Sequence, residues 1–230
     1  MPKVLKVKDK SDKQVIDMGI LPDVRFFGLI VGKTGSGKGV ITTNMLLNPE
    51  FGYLNIFKGE NIYIFSGSLT SDQKLAHLIN LKEIDESNLY NNYDNDAMNE
   101  LYDKLEEEYN DRQQNDMPME YPLIVIDDLS FAMGRGKDFS ALYRLAQNSR
   151  KLGISVLLTT QHYTQIPLAI RNNISFAVLF NTSVRNIEQI EQEHNYLPTK
   201  KMFMEMFREY VKTKRDFIVV NYSNNGLQIY

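Results

Sequence analysis

Residues 32–40, GKTGSGKGV, have the composition of a loop that holds phosphate. Glycines let a backbone bend and turn its N–H groups toward phosphate oxygens. A helix that starts at the end of such a loop adds positive potential, and a lysine there reaches the outer phosphates. The pattern G-x-x-x-x-G-K-[ST] is met by Gly32, Gly37 and Lys38, with Lys33, Thr34, Gly35, Ser36, Gly39 and Val40 completing the stretch. It departs at position 39, where Gly39 stands in place of the hydroxyl residue that would ligate magnesium. A second frame, Gly32-Lys33-Thr34, would put its first glycine at Phe27 inside an apolar run, so the frame ending at Lys38 is preferred. Taken alone, the segment also fits a glycine-rich turn with a stray lysine.

PLIVIDD (122–128) ends an apolar run with two carboxylates. Asp127 is placed to hold magnesium, directly or through water. Asp128 can polarise an attacking water, a role often taken by Glu. An ordinary strand-end pair making turn and cap bonds is the alternative. Gln161 ends a third apolar run, and its carboxamide there can orient water and sense a γ-phosphate. Together the three run ends would set phosphate, metal and water groups along one edge of a parallel sheet, where such sheets bind ligands.

Those groups need strands and helices behind them. RFFGLIVG (25–32), NIYIFSG (61–67), PLIVIDD, ISVLLTTQ (154–161) and ISFAVLFN (174–181) read as buried strands. KGVITTNMLLN (38–48) and FSALYRLAQNSRKLG (139–153) read as helices, the second stopping at Gly153. DFIVVNY (216–222) and LQIY (227–230) read as a terminal hairpin. Strands alternating with helices predict an α/β domain with a mainly parallel sheet covered on both faces. Residues 24–230 would be that single domain, after a leading segment, 1–23, whose first 13 residues hold five lysines and read as a basic arm. Residues 83–120, with Glu106, Glu107 and Glu108, read as an exposed acidic insertion carrying one amphipathic helix near 97–112.

Composition bounds the chemistry. The 230 residues suit one α/β domain, and 43% hydrophobic with 24% charged residues is ordinary for a globular chain. There is no cysteine, so disulfides and Cys-ligated metals are excluded. The three histidines, His77, His162 and His194, make no metal-ligand spacing. No apolar run approaches the roughly 20 residues of a membrane span, and the basic N-terminus lacks a signal peptide's apolar core. These features predict a soluble, intracellular protein. With a formal charge of −3, any nucleic-acid binding must use local basic patches.

LAQNSRKLGISVLLTTQHYTQIPLAIRNNISFAVLF (145–180), with IVIDD before it, resembles the FtsK–HerA superfamily of DNA-pumping ATPases. In those motors a helix ending in Arg precedes Gly-Ile, an apolar strand and Thr-Gln. The compact length and the IDDL form look most like the genome-packaging ATPases of large DNA viruses, virophages and Polinton-like elements. The match spans roughly 24–182. It implies a RecA-like P-loop NTPase fold and ATP and Mg²⁺ as cofactors. Lys38 would bind phosphate, Asp127 would handle magnesium, Asp128 would be the catalytic carboxylate and Gln161 the sensor. Arg150 aligns with the arginine that enters the neighbouring subunit's site, and Arg171 is a second finger candidate; a surface salt bridge is the alternative for each. Gly39 for Ser/Thr and Asp128 for Glu are the departures, and both bear on rate more than on fold.

The resemblance further implies a homo-oligomeric ring, hexamer or pentamer, around double-stranded DNA. Capsid vertex proteins would be partners, and the setting would be a host-cell cytoplasm or virus factory, with virion association an option. Arg135 and Lys137 in MGRGKD (133–138) are the foremost DNA-contact candidates; KTKR (212–215) and the lysine arm are others. The reading is an ATP-driven translocase that packages a viral genome. A cellular HerA- or FtsK-like translocase or helicase is one rival. A nucleotide-binding scaffold without motor activity, or a P-loop kinase, is another.

Overall fold

The computed structural model describes Ile16, Met18, residues 21–128, 138–195 and 197–222, and the backbone of 228–229. The first half of the chain runs β1 (Phe27–Val31), α1 (Lys38–Leu47), β2 (Ile62–Ser66), α2 (Gln73–Lys82), β3 (Leu89–Tyr90), α3 (Asn95–Gln114) and β4 (Leu123–Asp127). The second half runs α4 (Ser140–Asn148), β5 (Ser155–Thr160), α5 (Leu168–Arg171), β6 (Phe176–Phe180), α6 (Val184–His194), α7 (Lys200–Tyr210), β7 (Phe217–Asn221) and β8 (Gln228–Ile229).

These strands form one eight-stranded sheet in the order β3-β2-β4-β5-β1-β6-β7-β8. The first six are parallel, and β7 and β8 add antiparallel at one edge as the expected terminal hairpin. Every residue of β1, β2, β5 and β6 is buried, which explains why their sequences are continuous apolar runs and not alternations. One apolar cluster lies between the sheet and α1 and α2, around Ile30, Met45, Leu46, Leu75 and Leu78. The other packs α3 to α7 on the opposite face through Leu101, Leu142, Ile170, Ile190 and Phe203. The α/β reading therefore holds. β5 lies between β1 and β4, so the phosphate-loop strand and the carboxylate strand are not neighbours.

Residues 83–120 are not the exposed insertion expected from their charge. They supply β3, which pairs with β2, and α3, which covers the sheet. The amphipathic helix expected near 97–112 is α3, with Met98, Leu101, Tyr102 and Leu105 buried at i, i+3, i+4 and i+7. Asp94 caps the helix by accepting from the Ala97 amide at 2.9 Å. Part of the acidic face also has a partner. Arg144 of α4 reaches Asp103 at 2.6 Å and Glu106 at 3.2 Å, and its guanidinium lies 3.8 Å from the centre of the Tyr102 ring. The helix expected over 139–153 ends as α4 at Asn148 and tightens into a 3-10 turn over Ser149–Leu152, with Gly153 (φ 75°) as the stop.

A polar cluster ties α5 and α6 to the end of β7. Arg171 holds Glu193 through Nε at 2.8 Å and Nη2 at 2.6 Å. Tyr163 donates to Glu193 and lies 2.7 Å from His194 Nε2, while His194 Nδ1 meets the Tyr222 hydroxyl. His194 is buried, and burial pushes its pKa down to about 4. The unfolded chain takes up this proton near pH 6.5, whereas the folded chain resists until about pH 4. His194 therefore contributes stability that is complete above about pH 6.5 and is lost as pH falls, by up to about 3 kcal/mol. Thermal melts of the wild type and His194→Gln across pH 4.5–6.5 check this. The variant's profile should be flatter; equal slopes would show that His194 is not held neutral in the fold.

Candidate functional site

β1 delivers the chain to Gly32, whose amide donates to the Thr160 carbonyl of β5 at 3.1 Å. Gly35 and Gly37 then turn it through left-handed conformations, φ 72° and 117°, which a side chain would strain. A Cβ on Gly32 would fall 2.4 Å from Ser36 Oγ, so that hydroxyl fills the space a side chain would need. Ser36 Oγ is buried and has no hydrogen-bond partner among the described residues. α1 begins at Lys38 with no side-chain cap on Gly37, which leaves its first amides free to meet an anion. Lys38 arches back over the loop, its Nζ donating to the Gly32 carbonyl at 2.7 Å and the Lys33 carbonyl at 3.5 Å. Burial lowers its pKa, and the charges of Asp128 and Asp127 oppose that shift. Lys33 is exposed, in keeping with the frame that ends at Lys38.

The carboxylates come from the end of β4. Asp127 Oδ1 accepts from Thr159 Oγ1 at 2.8 Å; Oδ2 accepts from Ser66 at 3.1 Å and Ser68 at 3.4 Å. Three hydroxyls from β5 and the end of β2 thus fix its rotamer. The Asp128 amide donates to Thr159 Oγ1 at 2.9 Å, and its backbone is left-handed at φ 50°. Non-glycine residues hold such a conformation at a cost, and these outliers cluster at functional sites. Gln161 joins the two halves. Its Nε2 donates to Asp128 Oδ2 at 2.7 Å, and its Oε1 accepts from Thr34 Oγ1 at 2.9 Å.

A cleft of about 820 Å³ opens over these groups, bounded by the loop, Ser66–Ser68, Asp127, Asp128 and Gln161, with Arg215 and Phe217 also lining it. Such a volume suits a small cofactor. The donors beside Lys38 are carboxylate and hydroxyl oxygens, the set a hard cation such as magnesium requires. Asp127 could hold such a cation, its carboxylate oriented by Ser66, Ser68 and Thr159. Gly39 lies within α1 without a positive φ, and a Cβ there would make only ordinary contacts, 3.6 Å to Lys74 Cδ and 3.8 Å to Asp72 Oδ2. The missing hydroxyl is therefore not forced by the backbone.

Lys38, Asp127, Asp128 and Gln161 share one cleft with the loop. Arg150 and Arg171 lie elsewhere. Arg150 is exposed in the turn that precedes β5, at the opposite end of that strand from Gln161, and makes no ion pair among the described residues. Arg171 is largely buried in its pairing with Glu193. Arg135 and Lys137 lie outside the described residues. KTKR faces the cleft: Lys214 Nζ stands 2.9 Å from where a Cβ on Gly35 would be, and Arg215 lines the wall. Ser66, Ser68 and Thr159 were missed from sequence. SGS at the end of the second strand and the Thr-Thr before Gln161 were the available signals; Arg215 was read only as part of a DNA-contact candidate and Phe217 had no signal, since only the antiparallel edge brings them to the loop.

The fold and this cleft define a RecA-like P-loop ATPase architecture. The model of the Poxvirus A32 protein family matches residues 20–227, and the chain belongs to that family. The resemblance to FtsK–HerA-type packaging ATPases is thereby borne out. No curated protein sequence matches the chain. Among solved structures it is similar to the genome packaging NTPase B204 of Sulfolobus turreted icosahedral virus 2 in complex with AMP, with a TM-score of 0.58 at 13% identity over 89% of this chain and 96% of that one. It is also similar to B204, the DNA-packaging ATPase of Sulfolobus Turreted Icosahedral Virus (TM-score 0.57, 15% identity, 90% and 97% covered). EssC ATPases 2 and 3 of Geobacillus thermodenitrificans give a TM-score of 0.58 at 15% identity over 90% of this chain and 39% of that one.

The two glycines that flank Lys38 should respond differently to substitution. Gly37→Ala should destabilise the fold by about 1–3 kcal/mol, the cost of a side chain in a sparsely populated backbone region. Gly39→Ala should stay within about 1 kcal/mol of the wild type, since alanine suits a helix better than glycine. Chemical denaturation of both variants checks this; equal losses would contradict the assigned backbone.

Proposed function

We propose that the chain is an ATP-driven motor that moves double-stranded DNA into a preformed capsid. The observation that carries this reading is the Thr34–Gln161–Asp128 chain of hydrogen bonds, which links a phosphate loop to a strand-end carboxylate. A static nucleotide holder needs no such link. Membership of the Poxvirus A32 protein family and the fold shared with packaging NTPases support the same reading.

In the proposed cycle the loop amides and Lys38 take the phosphates of ATP, and Lys38 exchanges the Gly32 carbonyl for phosphate oxygens. Asp127 would hold magnesium, which when bound would neutralise charge on the phosphates. Asp128 accepts a hydrogen bond from water, which attacks the γ-phosphorus as the bond to the β–γ bridging oxygen breaks; its proton passes to Asp128 or onward to solvent. Gln161 reports the γ-phosphate, because a phosphate oxygen at Thr34 would take the hydroxyl that Gln161 Oε1 now accepts from, and so loosen the side chain whose Nε2 donates to Asp128.

Arg150 is the proposed trans-acting finger. It sits a whole six-residue strand from its own Gln161, roughly 20 Å at the rise of a β-strand. Arg171 is less suited, since Glu193 already engages it. A homo-oligomeric ring around DNA follows, with Arg135 and Lys137 as proposed phosphate contacts and a capsid vertex as the docking partner. The host-cell cytoplasm or a virus factory is the proposed setting. Among the described residues no helix is long and apolar enough to cross a membrane.

Four outcomes are expected. DNA should stimulate ATP hydrolysis, and Asp128→Asn should lower turnover by about 10²- to 10⁴-fold, the usual contribution of a general base, without shifting the melting temperature. A variant with near-native turnover would remove Asp128 from the chemistry. Arg150→Ala should lose about 10³-fold or more, and mixing it with Lys38→Ala subunits should restore some turnover. No recovery in verified mixed rings would exclude action in trans. Neutralising Arg135 and Lys137 together should reduce the salt dependence of DNA binding, because fewer counterions are released; an unchanged slope would place the DNA path elsewhere.

A further inference from the structure

We propose that Asp72 supplies, through a bound water, the magnesium contact that Gly39 cannot make. The inference rests on the nucleotide site proposed above. α2 starts beside α1, and Asp72 is its N-cap. Only one of its carboxylate oxygens is used there: Oδ1 accepts from the Lys74 amide at 2.8 Å and the Leu75 amide at 3.4 Å, and stands 3.5 Å from Lys74 Nζ. Oδ2 makes no hydrogen bond among the described residues. It stands 3.8 Å from the point where a side chain on Gly39 would begin.

The space between them has the size of a ligand water. A recess of about 20 Å³ lies among Gly39, Thr42, Asp72, Lys74 and Asp127, and both carboxylates line the main cleft as well. A water needs ~10–15 Å³ and two or more polar partners. Magnesium gives up its waters reluctantly and is commonly held by one or two carboxylates together with phosphate oxygens. Replacing a serine or threonine hydroxyl by a glycine makes room for one more such water; Asp72 is the group placed to orient it, opposite Asp127. Thr42 is not a substitute, because its hydroxyl donates to the Lys38 carbonyl at 3.2 Å.

The substitution Asp72→Asn separates this role from the helix cap, since Asn caps as well as Asp. The measurement is equilibrium binding of a fluorescent non-hydrolysable ATP analogue to the full chain across a magnesium titration. Loss of an outer-shell metal partner commonly costs about 10- to 100-fold in metal affinity, so the magnesium midpoint should rise by that factor. Affinity without magnesium should not fall. Gly39→Thr should lower the midpoint on its own and should bring the Asp72→Asn protein back toward the wild-type value. An unchanged midpoint in Asp72→Asn, or an equal loss with and without magnesium, would overturn the inference and leave the nucleotide site intact. Absence of any magnesium-dependent binding by the wild type, or binding indifferent to Lys38→Ala, would overturn the site itself.

Discussion

Everything at the cleft depends on β5 being hydrogen-bonded between β1 and β4. Its register sets Ile30 against Thr159 and Val31 against Thr160 on one side, and Ile126 against Leu158 on the other. That alignment brings Gly32, Asp128 and Gln161 to one edge and lets Thr159 serve both carboxylate residues, through the Asp127 side chain and the Asp128 amide. Because side chains alternate along a strand, a slip of one residue would turn Thr159 to the opposite face and separate Gln161 from Asp128. The buried apolar runs on both faces resist such a slip, so core packing and site geometry are one constraint.

Within that frame the site is held together by its own groups. Lys38 satisfies loop carbonyls, Gln161 bridges Thr34 and Asp128, and three hydroxyls pin Asp127. Each contact to Lys38, Thr34 or Gln161 is one that a phosphate group would compete for, so binding must exchange partners and not merely fill space. In the proposed cycle the exchange would begin at the loop and end at Asp128, a physical route from phosphate occupancy to the carboxylate. The basic turn before β7 adds Arg215 to the wall and Lys214 over Gly35, so the antiparallel edge takes part in the cleft.

Much of this was readable before any coordinates. Strand ends carrying Gly-rich loop, Asp pair and Gln are local signals, and parallel strands bring such ends together by topology alone. Three features were not readable in the same way. The amphipathic helix near 97–112 was legible, but its burial against the sheet and the pairing of β3 with β2 are set by tertiary packing, which acidic composition does not reveal. The approach of Asp72 to Gly39 joins elements with no sequence pattern in common. Arg171 reads as an available cation, but its partner, Glu193, is 22 residues away on α6 and is brought to it only by the fold. Residue types at the strand ends and the resemblance carried by residues 145–180 pointed to the same roles, while the hydrogen bonds that connect those groups emerge only from the folded sheet.

A single reconstruction of the protein with double-stranded DNA, magnesium and a slowly hydrolysed ATP analogue tests the central claim most directly. The account predicts nucleotide in the cleft at the ends of β1, β4 and β5, Lys38 on the phosphates and no longer on the Gly32 carbonyl, and Arg150 of one copy entering the site of the next around a DNA-filled pore. Nucleotide bound elsewhere, or copies arranged with Arg150 far from every bound phosphate, would contradict it.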